Sequence, residues 1–283
     1  VSTTLNDTSE VWDFDGTDIM LEADPEDEGF WEEGSNLVLN HDYEDLGSEL
    51  ANFSDNNISF DNSSDSTTIS LGSNSYRSEA FGNSNDARPR VNINGSGIVT
   101  GKTYEVTYTP TSFTGSTVFD FFQNSTRIIN NHDASVAKTF YFVASDGYDG
   151  FDFDGSQTFR SDYTLSIKQV DPNDRWTLGT GWTISDGKAN FDGGSDEAIQ
   201  QSSVVTNGDT YEVTFTVSGR TTGSLQLRLG NTGVVDTTIN TNGTHTNTFV
   251  SDGTSLYFRA VGGFDGSIDN VSVKEYAITP LDV

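Results

Sequence analysis

Gly101-Lys102-Thr103-Tyr104-Glu105-Val106-Thr107-Tyr108-Thr109 returns 107 residues later as Gly208-Asp209-Thr210-Tyr211-Glu212-Val213-Thr214-Phe215-Thr216. Further landmarks keep the same order in both copies. Thr114-Gly115-Ser116 answers to Thr222-Gly223-Ser224, Ser145-Asp146-Gly147 to Ser251-Asp252-Gly253, and Leu165-Ser166-Ile167-Lys168 to Val271-Ser272-Val273-Lys274. A period of 107 exceeds the roughly 20 to 50 residues of a solenoid unit. It fits a whole β-sandwich of about 100 residues. The chain therefore carries two related domains in tandem.

The residues between these landmarks alternate with a period of two, as half-buried strands do. Tyr211, Val213, Phe215 and Val217 stand on one side of Glu212, Thr214 and Thr216. Leu225, Leu227 and Leu229 alternate with Gln226 and Arg228, and Leu256 and Phe258 with Tyr257 and Arg259. Clusters of Gly, Asn, Asp and Ser supply the turns, and no apolar stripe of helical spacing is sustained. The expected fold is all-β: two tandem antiparallel jelly-roll β-sandwiches over 36–171 and 172–276, with Pro172 in the linker and a tail at 277–283. The Ser/Asn/Asp-rich stretch 54–90 is read as two short strands with long surface loops. Residues 1–35 form an arm, in which the charge run Glu22 to Glu28 lies among the aromatics Trp12, Phe14, Phe30 and Trp31. Such a segment either orders on a partner or on its own domain, or stays a flexible tail with one edge strand.

Fourteen Lys plus Arg against 43 Asp plus Glu leave a net charge of -29. That balance speaks against nucleic acid and anionic membranes as partners. The acidity either serves solubility or favours cationic partners. There is no Cys for a disulfide or thiolate site. No apolar run approaches the length of a membrane span. The first residues lack the basic start and apolar core of a secretion signal, so synthesis in a cytoplasm is expected.

Enzyme chemistry finds no constellation. His41, His132 and His245 are scattered, and neither a nucleophile elbow nor a phosphate-binding glycine loop occurs. Asp13-Phe14-Asp15-Gly16-Thr17-Asp18 and Asp149-Gly150-Phe151-Asp152-Phe153-Asp154-Gly155 set oxygen ligands beside glycines, as calcium loops do. Neither meets the full spacing, and Asp-Gly turns are the favoured reading.

The segment from Gly208 to Tyr276, with Gly263-Phe264-Asp265-Gly266-Ser267-Ile268-Asp269-Asn270-Val271-Ser272-Val273 near its end, resembles jelly-roll carbohydrate-binding modules. The resemblance is to the variants in structural proteins of tailed phages from aquatic environments. Asn36-Leu37-Val38-Leu39-Asn40-His41-Asp42-Tyr43-Glu44 resembles the opening strand of such a module, placed in the first copy. The second copy begins instead at Asp174-Arg175-Trp176 and lacks that strand, which leaves its edge to another segment or chain. The resemblance covers roughly 36–276 and implies a two-sheet jelly roll with sugar-binding and no catalytic activity. It also implies a structural Ca2+, with ligands carried onto Glu44 and onto Asp162 in the first copy and Asp269 in the second.

Sugar binding needs aromatic faces for the rings and planar polar groups for the hydroxyls. If the relevant strands are neighbours, Tyr257, Arg259, Gln226 and Arg228 line one open sheet face. Trp182 and Trp176 either join it or lie in the core. The functional expectation is a virion structural protein, a tail fibre or a head decoration or fibre subunit. It would sit at the virion surface, bound through its arm to other capsid or tail proteins, with weak glycan binding and homo-oligomerisation, a trimer being the natural form. The alternative is a lectin-like bacterial adhesin, extracellular or on the cell surface.

Overall fold

The computed structural model describes residues 35–276 apart from 52–57, 64, 82–87, 96, 155–157, 231–234 and 236. Its regular structure there consists of strands alone. In the first module these are β1 (Ser59–Asp61), β2 (Ser66–Ser70), β3 (Ser75–Ala80), β4 (Arg90–Asn92), β5 (Thr103–Gly115), β6 (Val118–Gln123), β7 (Thr126–Asp133), β8 (Lys138–Val143), β9 (Asp149–Phe153) and β10 (Phe159–Gln169). They form two five-stranded sheets, ordered β1-β4-β9-β6-β7 and β2-β3-β10-β5-β8, with every pairing antiparallel. The inward faces enclose a core dense in aromatics, including Tyr76, Tyr104, Tyr108, Phe119, Phe121, Phe151, Phe153 and Tyr163.

The second module contains β11 (Thr177–Leu178), β12 (Trp182–Ser185), β13 (Lys188–Asp192), β14 (Ala198–Gln201), β15 (Thr210–Gly230), β16 (Thr237–Ile239), β17 (Gly243–Val250) and β18 (Ser255–Glu275). Here β15 and β18, 21 residues each, run through both layers. Their pairing breaks register between Ser218 and Ser224. The half of β15 before the break lies with β17 and the end of β18, and the half after it with β16 and the start of β18. The layers are thus β11-β14-β18-β15-β16 and β12-β13-β18-β15-β17, the strand order of the first module with two pairs of strands fused.

The repeated landmarks now have physical causes. Gly115 and Gly223 mark the corner where the chain leaves one sheet for the other. Both adopt positive φ (88° and 66°), and a Cβ would run into the backbone of Thr158 or Phe264. In both copies a buried tyrosine holds the turn before the long strand. Tyr104 Oη accepts the Val99 N–H and Tyr211 Oη the Thr206 N–H, each at 2.8 Å. This is the logic of a tyrosine corner.

The stretch 36–51 departs from the expected boundary. Asn36 Oδ1 accepts the N–H groups of Val38 (3.1 Å) and Val273 (3.0 Å), and the Leu37 N–H donates to the Val273 carbonyl (2.9 Å). Val38 and Tyr43 are buried in the core of the second module, with Tyr43 packed 5.0 Å from Trp176. The opening strand expected in the first copy therefore completes the second. The first module has its own clamp a few residues on. Glu49 Oε1 accepts the N–H groups of Ala51 (2.8 Å) and Ile167 (2.7 Å), and the Leu50 N–H donates to the Ile167 carbonyl (2.8 Å). Residues 45–170 are thus an insertion into a second module made from 36–44 and 171–276. At the junction Asn40 Nδ2 donates to Asp171 Oδ1 (3.0 Å), and Asp171 Oδ2 accepts the Trp176 N–H (2.9 Å).

Between residues 54 and 90 the two expected strands are joined by β3, whose sequence Ser-Tyr-Arg-Ser-Glu-Ala hides its alternation. Its buried positions include Ser78, which bonds Thr68 Oγ1 and Tyr163 Oη, both at 2.9 Å. A hydrogen-bonded serine inside a core carries no apolar signal.

Candidate functional site

The outward face of the sheet β11-β14-β18-β15-β16 gathers the residues expected to line it. One row across the strands reads Thr177, Gln200, Tyr257, Arg228, and the next reads Ala198, Arg259, Gln226, Thr238. Inward, Leu225, Leu227, Leu229, Leu256, Phe258 and Ala260 are buried, so period-two alternation leaves the polar set half-exposed outside. Gln200 was missed by the sequence reading. Its alternation with Ile199 in the short β14 was the available signal.

Arg228 Nη2 donates to Gln226 Oε1 at 2.8 Å, while its Nε is buried with no hydrogen-bond partner among the described residues. Desolvation and then the neighbouring Arg259 charge lower the Arg228 pKa from its ordinary value. Arg259 Nη2 lies 3.7 Å from Asp196 Oδ2, at the rim. The face offers one aromatic ring, two amides and two guanidiniums on a rigid floor.

Trp182 does not join this face. It is buried against Phe191 (5.1 Å) and Phe264, and its indole N–H donates to the Glu197 carbonyl at 3.0 Å. Trp176 is buried likewise, donating through Nε1 to the Asn40 carbonyl at 2.9 Å. A core that satisfies the indole N–H removes the obstacle to burying the ring.

The implied calcium clip between Glu44 and Asp162 does not fit the geometry. Asp162 is held by Arg77 in a two-pronged pair, with Oδ1 2.6 Å from Nε and Oδ2 2.7 Å from Nη2. The hydrogen bonds from Arg77 lower its pKa from the usual carboxylate value. Glu44 lies beside Gly187, in a junction cleft of about 310 Å³ that Val170 also lines. Asp162 is eight residues back along the chain from Val170, roughly 26 Å away at about 3.3 Å per residue. Asp269 is in the second module, where its Oδ1 accepts the Asn270 N–H at 2.6 Å. Among the described residues no group of three or more carboxylate or imidazole side chains converges to hold a metal.

In the Asp149–Gly155 motif, Asp149–Phe153 form strand β9, so its first Asp-Gly pair is not a turn, and Gly155 lies outside the described residues. Asp149 is fully buried and accepts bonds from the Ser145 N–H (2.7 Å), Ser145 Oγ (2.6 Å) and the Asn124 N–H (3.1 Å). The Asp13–Asp18 motif, the arm aromatics Trp12, Phe14, Phe30 and Trp31, and the tail 277–283 lie outside the described residues.

No protein-family model matches the chain, and no curated protein does. Among solved structures, the N-terminal CBM22-1-CBM22-2 tandem domain of Xyn10C from Paenibacillus barcinonensis is similar over 82% of this chain and 98% of that one, at 9% identity and a TM-score of 0.27. A Paenibacillus xanthan lyase covers 83% of this chain with 26% of its own length, at 14% identity and TM-score 0.28. Allantoicase from Saccharomyces cerevisiae covers 74% with 83% of its length, at 7% identity and TM-score 0.27. Superpositions this loose carry no argument about family or function.

Proposed function

We propose that this protein is a non-enzymatic virion structural protein, a tail fibre or a head decoration or fibre subunit. Its second module would present a weak sugar-binding sheet face at the particle surface. The observation that carries the sugar-binding part is the single open face on which Tyr257, Gln200, Gln226, Arg228 and Arg259 stand together. A pyranose stacks its apolar side on Tyr257, and the amides and guanidiniums address its hydroxyls. The virion assignment rests on the resemblance of residues 208–276 to phage modules and on the acidic, aromatic arm 1–35.

An open face covers little of a sugar, and each hydroxyl exchanges a water bond for a protein bond at a net gain of about 0.5 to 1.5 kcal/mol. A single site is then millimolar, about -4 kcal/mol. Adhesion at that strength needs several copies on one particle, where avidity adds a factor of about 10² to 10⁴. Homo-oligomerisation, as a trimer for a fibre, belongs to the same reading. The test is a glycan array probed with the full chain displayed multivalently, beside Tyr257→Ala. Hits lost in the variant are expected, and a blank array removes the sugar-binding role. For the virion role, a chain lacking 1–31 should fold yet fail to enter particles. Normal incorporation would place the attachment elsewhere.

A further inference from the structure

We infer that the sheet face of the second module takes an acidic pyranose, a hexuronate residue of a polysaccharide, with Arg228 meeting its carboxylate. The inference rests on the sugar-binding reading above and narrows it to a ligand class.

Cations are scarce in this chain, 14 against 43 acidic residues, and the arginines on the sheets of the first module are answered by carboxylates. Arg77 and Arg160 pair with Asp162, Arg90 with Asp152, and Arg127 with Asp120. Arg228 is different. Among the described residues no carboxylate stands within 4.0 Å of it, its one hydrogen-bond acceptor is the neutral Gln226 amide, and its Nε is buried without any. A partly desolvated guanidinium with no countercharge among the described residues is costly, and an incoming anion relieves that cost. Arg259, one row away, adds positive charge that the looser Asp196 contact at 3.7 Å meets from the rim.

The shape of the face selects a sugar acid over a bare anion. Tyr257 stands directly opposite Arg228 on the neighbouring strand. Directly opposed side chains have Cβ atoms about 4.5 to 5.5 Å apart, about the span of one pyranose ring. One hexuronate can therefore stack on Tyr257 while its planar carboxylate accepts from the outer edge of the guanidinium, whose fork matches two oxygens. The charge of -29 opposes a polyanion at long range, but exposed charges are screened beyond about 8 Å at about 0.15 M salt. Recognition is thus local, and it weakens when salt screens the pair as well.

The test measures binding of the multivalently displayed full chain to three polymers: polygalacturonate, the same polymer methyl-esterified, and a sulfated galactan free of uronic acid. Binding to the free acid at least about tenfold tighter than to the ester is expected. In Arg228→Gln that preference should vanish, and Arg228→Lys, which keeps the charge but loses the fork, should restore only part of it. Equal binding of acid and ester, both lost in Tyr257→Ala, overturns the uronate assignment and leaves a neutral-sugar face. Preference for the sulfated polymer over the free acid also overturns it. Absence of binding to any of the three, with a blank glycan array, overturns the sugar-binding reading itself. The acid-to-ester comparison uses the unaltered protein, so a variant that fails to fold does not decide the outcome.

Discussion

Across three strands of the first module, one outward row reads Arg90, Asp152, Asp120, while the same strand positions of the second hold Gln200, Tyr257 and Arg228. The first row is closed on itself. Arg90 meets Asp152 at 3.3 Å, Arg127 meets Asp120 at 3.2 Å, and Tyr148 Oη donates to Asp152 at 2.7 Å. The second holds a guanidinium that meets no carboxylate among the described residues, beside the Tyr257 ring. Inside, the copies keep corner glycines, corner tyrosines and strand order, because those positions carry the packing. Outward positions are free of that constraint, so the two copies carry different outward rows, one ion-paired and one mixing amides, an aromatic ring and guanidiniums.

The copies also differ in continuity, and this gives the largest effect to test. Two tryptophans, Trp12 and Trp31, lie in the arm, and the other two, Trp176 and Trp182, are in the second core. In chains trimmed to residue 35, tryptophan emission therefore reports the second module alone. Trimming further to residue 46 removes Val38 and Tyr43 from that core. Loss of one large core side chain costs about 3 to 5 kcal/mol, against about 5 to 15 for a whole domain. The tryptophan transition should disappear while the first module still melts cooperatively. An unchanged transition would make the opening segment dispensable and the modules independent.

Alkali should separate the modules next. Burial raises the pKa values of Tyr108, Tyr148 and Tyr163 in the first module and of Tyr43 in the second. Tyr141, at the junction, is pushed up to about 12 by burial and its bond to Glu105. Above about pH 10 the unfolded chain loses phenolic protons that the folded one retains. Stability present below that pH falls as pH rises toward 12. Melting curves from pH 9 to 12 should show the first module weakening more steeply. Parallel loss in both would break the distinction.

A smaller effect concerns the two-pronged Arg77–Asp162 pair that ties β3 to β10, where the second module uses the neutral bond from Ser267 Oγ to Asn190 Oδ1 (2.6 Å). Arg77→Ala should lower the melting temperature of the first module by a few degrees and leave the tryptophan transition in place. Because Arg77 holds the Asp162 pKa down, this contribution is complete above about pH 4 and fades as pH drops through the lowered value. In Arg77→Ala that acid-dependent part should shrink to the share left by Arg160. The smallest expected change is a gain. Tyr43 Oη is buried with no partner among the described residues, so Tyr43→Phe should stabilise the second module by about 1 kcal/mol. A loss on calorimetry would point to a bond that the hydroxyl makes in solution.

Legibility followed distance along the chain. The assignment of Gln226, Arg228, Tyr257 and Arg259 to one side and the leucines and Phe258 to the other was readable, because a strand turns alternate side chains to opposite faces. Trp182 was not. A tryptophan suits a sugar platform or a core alike, and the choice fell to the Glu197 carbonyl that accepts its N–H. The resemblance implied a metal ligand at Asp162, and the pairing of that carboxylate with Arg77 was not legible because Arg77 stands 85 residues earlier.

By itself the sequence determined that there are two sandwiches and where their strands alternate, since these follow from local periodicity and an internal repeat. Only the tertiary structure decided which module owns Asn36–Glu44. Both modules present the same free stretch of final strand, at Ile167 and at Val273, and both clamps bond backbone groups that every residue carries. Backbone hydrogen bonding does not distinguish the two edges. The second core, where Tyr43 packs on Trp176, does.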